Sequence, residues 1–380
     1  MKFGTKVIHA GQKSDPSTGS IMTPIYQTST YEQISPGEFK KYEYSRTGNP
    51  TRDALEKNIA SLENANDAMC FASGMAAIDG ILKLLNPGDE VISINDLYGG
   101  TYRIFTQIFE SFGIKFHFSN MNDDNIVQLI NEKTKMIWIE TPTNPMLNII
   151  DIENISNISK QHNLMLVVDN TFATPYLQRP LDIGADIVMH SLTKYMSGHS
   201  DIVMGAVACK DPLVSEKLYA IQNSSGAIPS PHDCFLVLRG IKTLHLRMQR
   251  HCENAKQIAE VLKKDKKIGD VYWPGFEDHQ NHQIAKKQMN GFGGMVSFSL
   301  KNNSEIDAKK LASSMKYFTL AESLGGVESL CSHPASMTHA AIPKEIREKT
   351  GVSDSLIRLS VGVEDIDDLI EDIELALNLI

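Results

Sequence analysis

Across 380 residues the chain has no Cys-x-x-Cys pair, no long apolar run, no basic stripe and no Gly-x-Gly-x-x-Gly loop. Each absence removes a class of protein. The five cysteines (Cys70, Cys209, Cys234, Cys252 and Cys331) are scattered and odd in number, which fits free thiols in a reducing compartment better than a disulfide framework. No apolar run approaches the ~20 residues that a membrane helix needs. The opening MKFGTKVIHAGQ lacks the apolar core of a secretory signal. The formal charge of −9 is spread with both signs mixed, so nucleic acid is a poor partner. The missing dinucleotide loop argues against a nicotinamide-dependent dehydrogenase. The expectation is a cytoplasmic protein with neither a membrane nor a nucleic-acid partner.

What is present reads as a globular chain, 42% hydrophobic and 22% charged. At roughly 100–200 residues per domain there is room for two or three. The first ~45 residues mix Gly, Ser, Thr and Pro with aromatics and read as an irregular arm packed on another surface, such as a neighbouring subunit. From residue 54 helices and strands alternate. ALEKNIASLENA and MAAIDGILKLL have helical spacing, and MCF leads as a strand into Ser73-Gly74. Strands are expected at 90–94, 114–118, 135–140, 164–169, 186–190 and 203–209, which points to a largely parallel sheet covered by helices on both faces. After Ser230-Pro231 a long helical pattern runs from Cys234 to Lys264 and leads to a smaller C-terminal part. That part has strands at 293–300 and 356–361 and a helix over 365–380.

Chemistry gathers at strand ends. Asp169 closes the apolar run LMLVVD, where a parallel sheet places its ligands, although a structural hydrogen bond would also suit a carboxylate there. The next strand ends in Ser191, Leu192, Thr193 and Lys194. Hydroxyls suit a phosphate, and an amine of lowered basicity can form a Schiff base. The pair of an acid and a lysine on neighbouring strand ends is what pyridoxal phosphate requires, one group for the ring nitrogen and one for the aldehyde. Ser73-Gly74 opens a helix whose free N–H groups could cradle the phosphate, Gly74 permitting close approach.

The motifs KYEYSRTGNPTR, FASGMAA, DLYGGTYR, ETPTNP, VVDNTFATPYLQRPL, HSLTKYMSGHSD, LAESLGGVESL and IRLSVGVED stand in the order seen in the cystathionine γ-synthase and cystathionine γ-lyase family, which the chain resembles over nearly its whole length. The resemblance implies an α/β protein of aspartate-aminotransferase-like fold type I, with a mostly parallel seven-stranded sheet in a large domain and a smaller α+β C-terminal domain. It divides the chain into an arm over 1–47 that contacts a neighbouring subunit, a cofactor-binding domain over 48–246 and a small domain over 247–380. It also implies a homotetramer built as a dimer of dimers, with sites shared across the tight dimer. Lys194 resembles the Schiff-base lysine for pyridoxal 5′-phosphate, and Asp169 the acid on the pyridine nitrogen. Ser73, Gly74, Met75, Ser191 and Thr193 resemble the phosphate-binding set, and Tyr98 the tyrosine stacked on the ring. Asn144 resembles the partner of the phenolic oxygen. Tyr44 and Arg46 resemble residues that reach the neighbour's phosphate, and Arg358 the arginine that grips the substrate carboxylate. Arg103, Glu322, Ser323 and Thr338 complete the implied substrate site, together with Asn144 and Tyr98.

The implied activity is α,γ-elimination of L-cystathionine. An acid at Glu322 resembles the γ-lyase and γ-synthase pattern. Methionine γ-lyases tend to be apolar there and to carry cysteine at the position of Gly100, and bacterial β-lyases usually carry an aromatic at the Glu322 position. A γ-synthase remains the main alternative, and a cofactor-binding scaffold without turnover is the non-enzyme one. His279-x-x-His282 has metal-like spacing but reads as a solvated loop with no third ligand, so no metal is expected. His199 and His339 could line the site or serve structure. The methionines, 16 in all, read as core filling.

Overall fold

The computed structural model describes residues 1–121, 123–340 and 344–380. Seven strands form the larger sheet: β1 (Asp67–Phe71), β2 (Glu90–Ile94), β3 (Lys115–Ser119), β4 (Thr134–Glu140), β5 (Met165–Asp169), β6 (Ile187–Ser191) and β7 (Gly205–Cys209). Their order is β1-β7-β6-β5-β4-β2-β3. Only β7 runs against its neighbours. Strands β2, β4 and β7 are buried along almost their whole length, as expected when helices cover both faces of a parallel sheet. The mostly parallel expectation therefore holds. The five crossover strands read from the apolar runs appear within a residue or so of their expected ends, and β7 begins two residues later.

The smaller sheet contains β8 (Ile268–Tyr272), β9 (Met295–Leu300), β10 (Thr319–Leu320), β11 (Leu330–Ser332) and β12 (Leu356–Ser360). Its order is β8-β9-β12-β11-β10, antiparallel except for the short β10–β11 pair. The last helix, Ile366–Leu377, packs its apolar face into a separate core with Ile258, Phe298 and Ile357.

Two expectations need correction. The long helical pattern is two helices, Pro231–Ile241 and Leu244–Lys264, with a break at Lys242-Thr243. The break is stable because side chains take over the carbonyl of Gly240: Arg247 donates to it at 2.9 Å and Thr243 at 3.2 Å. The N-terminal arm is not wholly irregular either. Phe3–His9 is a helix docked on the helix Pro50–Glu63, where Asn58 donates to the carbonyls of Lys6 and Ala10. That second helix begins four residues before its apolar pattern does. Asn49 caps Thr51 and Arg52, and a proline occupies the first turn.

Candidate functional site

Strands β1, β4, β5 and β6 point their carboxyl ends to one cleft of about 550 Å³. In register, Asp169 on β5 lies beside Met189 on β6 and beside Glu140 on β4. Thr171 ties these ends together. Its hydroxyl donates to Asp169 Oδ1 at 2.6 Å and accepts the N–H of Ser191 at 2.9 Å. The N–H of Thr171 adds a second bond to Asp169 Oδ1 at 3.0 Å. The other carboxylate oxygen has no hydrogen-bond partner among the described residues. Asp169 is buried, and burial pushes its carboxyl above the ordinary range, with the Thr171 bonds opposing. Glu140 is pushed well above its own range, first by burial and then by the Asp169 charge, and accepts the N–H of Tyr98 at 3.0 Å. Two buried carboxyls thus stand side by side, neither in an ion pair among the described residues. A protonated ring nitrogen is the kind of group that the open oxygen of Asp169 would accept.

The phosphate end is equally prepared. Ser73 caps the helix Gly74–Leu82 by accepting the N–H of Ala76 at 3.0 Å. The N–H groups of Gly74 and Met75 have no acceptor among the described residues, and the helix dipole adds to their pull on an anion. A Cβ on Gly205 would lie 2.3 Å from the Ser73 carbonyl, and one on Gly74 would press 3.1 Å from the Ser191 Cβ. Gly205 on β7 is held to glycine by the backbone of Ser73, whereas Gly74 lies close against the Ser191 side chain of β6. The Ser191 hydroxyl has no partner among the described residues. The Thr193 hydroxyl is engaged with the backbone N–H and carbonyl of Met204, at 3.0 and 3.3 Å.

Lys194 follows β6 in a tight turn. Its amine donates to the Ser323 hydroxyl at 2.7 Å. Burial, then the Arg358 charge, lowers its pKa to about 8, while Glu322 works in the opposite direction. The free amine is therefore present near neutrality. The apoprotein should condense with pyridoxal phosphate faster as pH rises, half-maximally near about 8, against ~10.4 for an unperturbed lysine. Stopped-flow absorbance of imine formation tests this, and a rise that began only near the free-lysine value would contradict it.

Ser323 has φ of +88°, an unusual conformation for a residue with a side chain. The twist sends its hydroxyl to Lys194 and its carbonyl to Arg358, whose Nη2 donates at 2.9 Å. Arg358 Nη1 donates to Asn144 Oδ1 at 2.9 Å, and its buried Nε has no partner among the described residues. No carboxylate lies within ion-pair distance of this guanidinium among the described residues. Tyr98 stands at the mouth. Its ring lies over Gly100 and beside Met75, so a Cβ on Gly100 would meet Tyr98 Cε1 at 2.3 Å. Arg103 and Glu322 are exposed at the rim without an ion pair among the described residues, and Thr338 lines the same wall.

The structure brings together every residue expected in the cleft except Tyr44 and Arg46. Those two lie outside it, with Arg46 donating to the Asn223 carbonyl at 2.7 Å and resting 5.6 Å from the Tyr44 ring centroid. Glu140, Thr171 and Gly205 were missed. Glu140 ends its strand in a carboxylate just as Asp169 does, so the same signal was present. His279 and His282 correct the solvated reading. His282 is buried against Phe292 and bonds the Pro274 carbonyl, while His279 bonds the Leu147 carbonyl. His199 is bonded to the Ser197 carbonyl, and His339 to the Thr338 hydroxyl.

The profile of the family "Cys/Met metabolism PLP-dependent enzyme" matches residues 4–378. The chain is 54% identical to a cystathionine β-lyase of Coxiella burnetii, over 98% of its length and 97% of the relative. It is 52% identical to a cystathionine γ-lyase of Dictyostelium discoideum, over 99% and 98%. A crystal structure of cystathionine γ-synthase from Xanthomonas oryzae pv. oryzae, in complex with aminoacrylate and cysteine, superposes with a TM-score of 0.97. It is 40% identical and covers 100% of this chain and 98% of its own. The architecture is fold type I, and no helix among the described residues is long and apolar enough to cross a membrane. The chain belongs to the pyridoxal-phosphate-dependent enzymes of cysteine and methionine metabolism, and its cofactor is pyridoxal 5′-phosphate carried by a lysine.

Proposed function

We propose that this carbon–sulfur lyase is a cystathionine γ-lyase, converting L-cystathionine and water to cysteine, 2-oxobutyrate and ammonia. The observation that carries the reading is one cleft holding a lysine of lowered basicity, a buried acid with an open oxygen and a buried arginine without an anion. Lys194 anchors the aldehyde, Asp169 holds the ring nitrogen, and the Gly74 and Met75 amides with Ser191 hold the phosphate. Tyr98 covers the ring. Bound there, the cofactor withdraws electron density from the substrate's α-carbon. Arg358, held in plane by Asn144 and Ser323, grips the α-carboxylate through its fork. The Lys194 amine removes the α-proton and returns protons on the leaving-group side. Thr338 and Arg103 line the far half of the site, where Glu322 meets the distal amino group of cystathionine.

Tyr44 and Arg46, remote from their own cleft, serve the phosphate of a neighbouring subunit in a dimer of dimers. The arm over 1–47, the large domain over 48–246 and the small domain over 247–380 are the units of that assembly.

The deciding experiment compares products and rates. Cleavage of L-cystathionine should yield 2-oxobutyrate with cysteine, and should outpace condensation of an O-acyl-homoserine with cysteine. The name of the Coxiella relative gives the β-lyase reading specific support, and that reading expects pyruvate with homocysteine instead. Replacement of Glu322 by valine should weaken use of cystathionine about tenfold more than use of methionine, the worth of one charge-assisted contact of ~1.5 kcal/mol. Equal losses on both would remove its role.

A further inference from the structure

The buried polar side chains of the helix Leu244–Lys264 form one stripe. Arg247, His251 and Asn254 follow i, i+4, i+7 spacing and so share a face. All three are almost fully buried. Polar groups in such a place cost stability unless they are bonded, and every bond these three make to another element goes to a backbone carbonyl.

Arg247 donates to the carbonyls of Tyr195 at 2.7 Å and Met196 at 3.3 Å, the two residues after Lys194. No carboxylate pairs with it among the described residues, so a buried cation is held by the lysine turn itself. Gly198, in the same turn, has φ of +73°, and a Cβ there would strike the guanidinium at 2.1 Å. One helical turn on, His251 donates from Nδ1 to the Val361 carbonyl at 2.7 Å, three residues past Arg358. Its ring edge also packs on the Tyr195 ring, with centroids 5.0 Å apart. Asn254 donates to the carbonyls of Gly362 at 3.1 Å and Glu364 at 2.9 Å. The stripe therefore touches the turn that carries Lys194 and the exit of the strand that carries Arg358. These elements belong to different sheets.

We infer that Arg247, His251 and Asn254 are positioning residues that fix the Lys194 amine relative to the Arg358 fork, and so set where the α-carbon of a carboxylate-bound amino acid lies against its base. The inference rests on the roles assigned above to Lys194 and Arg358. It goes beyond them, because none of the three residues lines the cleft. The geometric need is strict. A proton can be taken from carbon only within close reach of the amine, and small displacements cost large factors in rate.

Two variants of His251 isolate positioning from packing. His251→Asn keeps an N–H donor near the Nδ1 position, whereas His251→Gln carries its donor out towards the Nε2 position and leaves the Val361 carbonyl unmet. The holoenzymes are compared by exchange of the α-proton of L-alanine in deuterium oxide, which needs the base and the carboxylate fork but no elimination. Thermal unfolding and the visible circular dichroism of the bound cofactor are recorded alongside. Exchange should slow roughly tenfold in His251→Gln, the kinetic equivalent of one lost buried hydrogen bond, and recover in His251→Asn. Arg247→Lys should slow exchange and change the cofactor's dichroism, because the turn beside the attachment point relaxes. Exchange at the wild-type rate in His251→Gln and Arg247→Lys, with only the melting temperature lowered, would overturn the inference. If His251→Gln does not fold, Arg247→Lys and His251→Asn carry the same decision. The roles of Lys194 and Arg358 are judged separately, by locating the borohydride-fixed cofactor in the wild type. A label on another lysine would remove those roles whatever the variants do.

Discussion

Lys194→Ala is expected to leave a folded chain that binds pyridoxal phosphate without a borohydride-fixable link and has lost elimination by ~10²–10⁴-fold or more, the span that one positioned acid–base group supplies. The fold should survive because the side chain is half-buried and makes a single hydrogen bond, to a Ser323 hydroxyl that can turn to water in the cleft. The loss should be large because among the described residues the only cationic side chains lining the cleft are Lys194, Arg103 and Arg358. Arg103 stands at the rim, and Arg358 cannot give up its proton in a protein. Mass spectrometry after reduction should find the label on Lys194 in the wild type and nowhere in the variant. Retained turnover, or a label on another lysine, would end the assignment. A mixing arm tests the shared site. Chains bearing Lys194→Ala and chains bearing Arg46→Ala are each expected to be weak. A mixed dimer would hold one cleft with both an intact lysine and an intact neighbouring arginine, so activity should return on mixing. No recovery in a sample shown to contain mixed dimers would mean that Arg46 acts within its own chain or only in structure.

The sequence exposed those parts of this protein that repeat a simple physical signal. Apolar runs became strands because a buried parallel sheet must be apolar on both faces. Asp169 and Lys194 were visible because each breaks such a run at its carboxyl end. Glu140 gives the same signal, yet its partnership with Asp169 depends on the β4–β5 register, which no local pattern encodes. Thr171 was illegible for a related reason, since its second bond goes to Ser191, twenty residues away. The break between Ile241 and Leu244 was hidden because every residue from Cys234 to Lys264 tolerates a helix. What interrupts it is Arg247 closing on the Gly240 carbonyl, together with the close pass of Ser197, whose carbonyl would lie 2.2 Å from a Cβ on Gly240. Glycines 205 and 240 looked like any other in the sequence, and only the packing shows that they admit the backbones of Ser73 and Ser197. Specificity is the least legible layer. Relatives named β-lyase and γ-lyase are 54% and 52% identical to this chain, so overall similarity does not separate the two activities.

Arg358→Lys is expected to lower kcat/KM for cystathionine by ~10²-fold, through KM because carboxylate binding is shared by the ground and transition states, and through kcat because the fork also places the α-carbon against its base. The magnitude follows from two charge-assisted bonds of ~1.5–3 kcal/mol each, partly retained by a single ammonium. The structure explains why the charge alone is not enough. Arg358 sits in the middle of β12 between β9 and β11, its plane set by Asn144 on one nitrogen and the Ser323 carbonyl on the other. A lysine there would offer one point charge on a flexible stem and would leave Asn144 or Ser323 without its donor. A substrate analogue in which an uncharged amide replaces the α-carboxylate separates the two contributions. The wild type should use it poorly, and Arg358→Lys should use it nearly as well as the wild type does, so the penalty of the substitution nearly vanishes. If acid and amide lose equally, the arginine serves the fold and another group reads the carboxylate. If only the acid loses, the buried guanidinium without an anion in this chain is the α-carboxylate site.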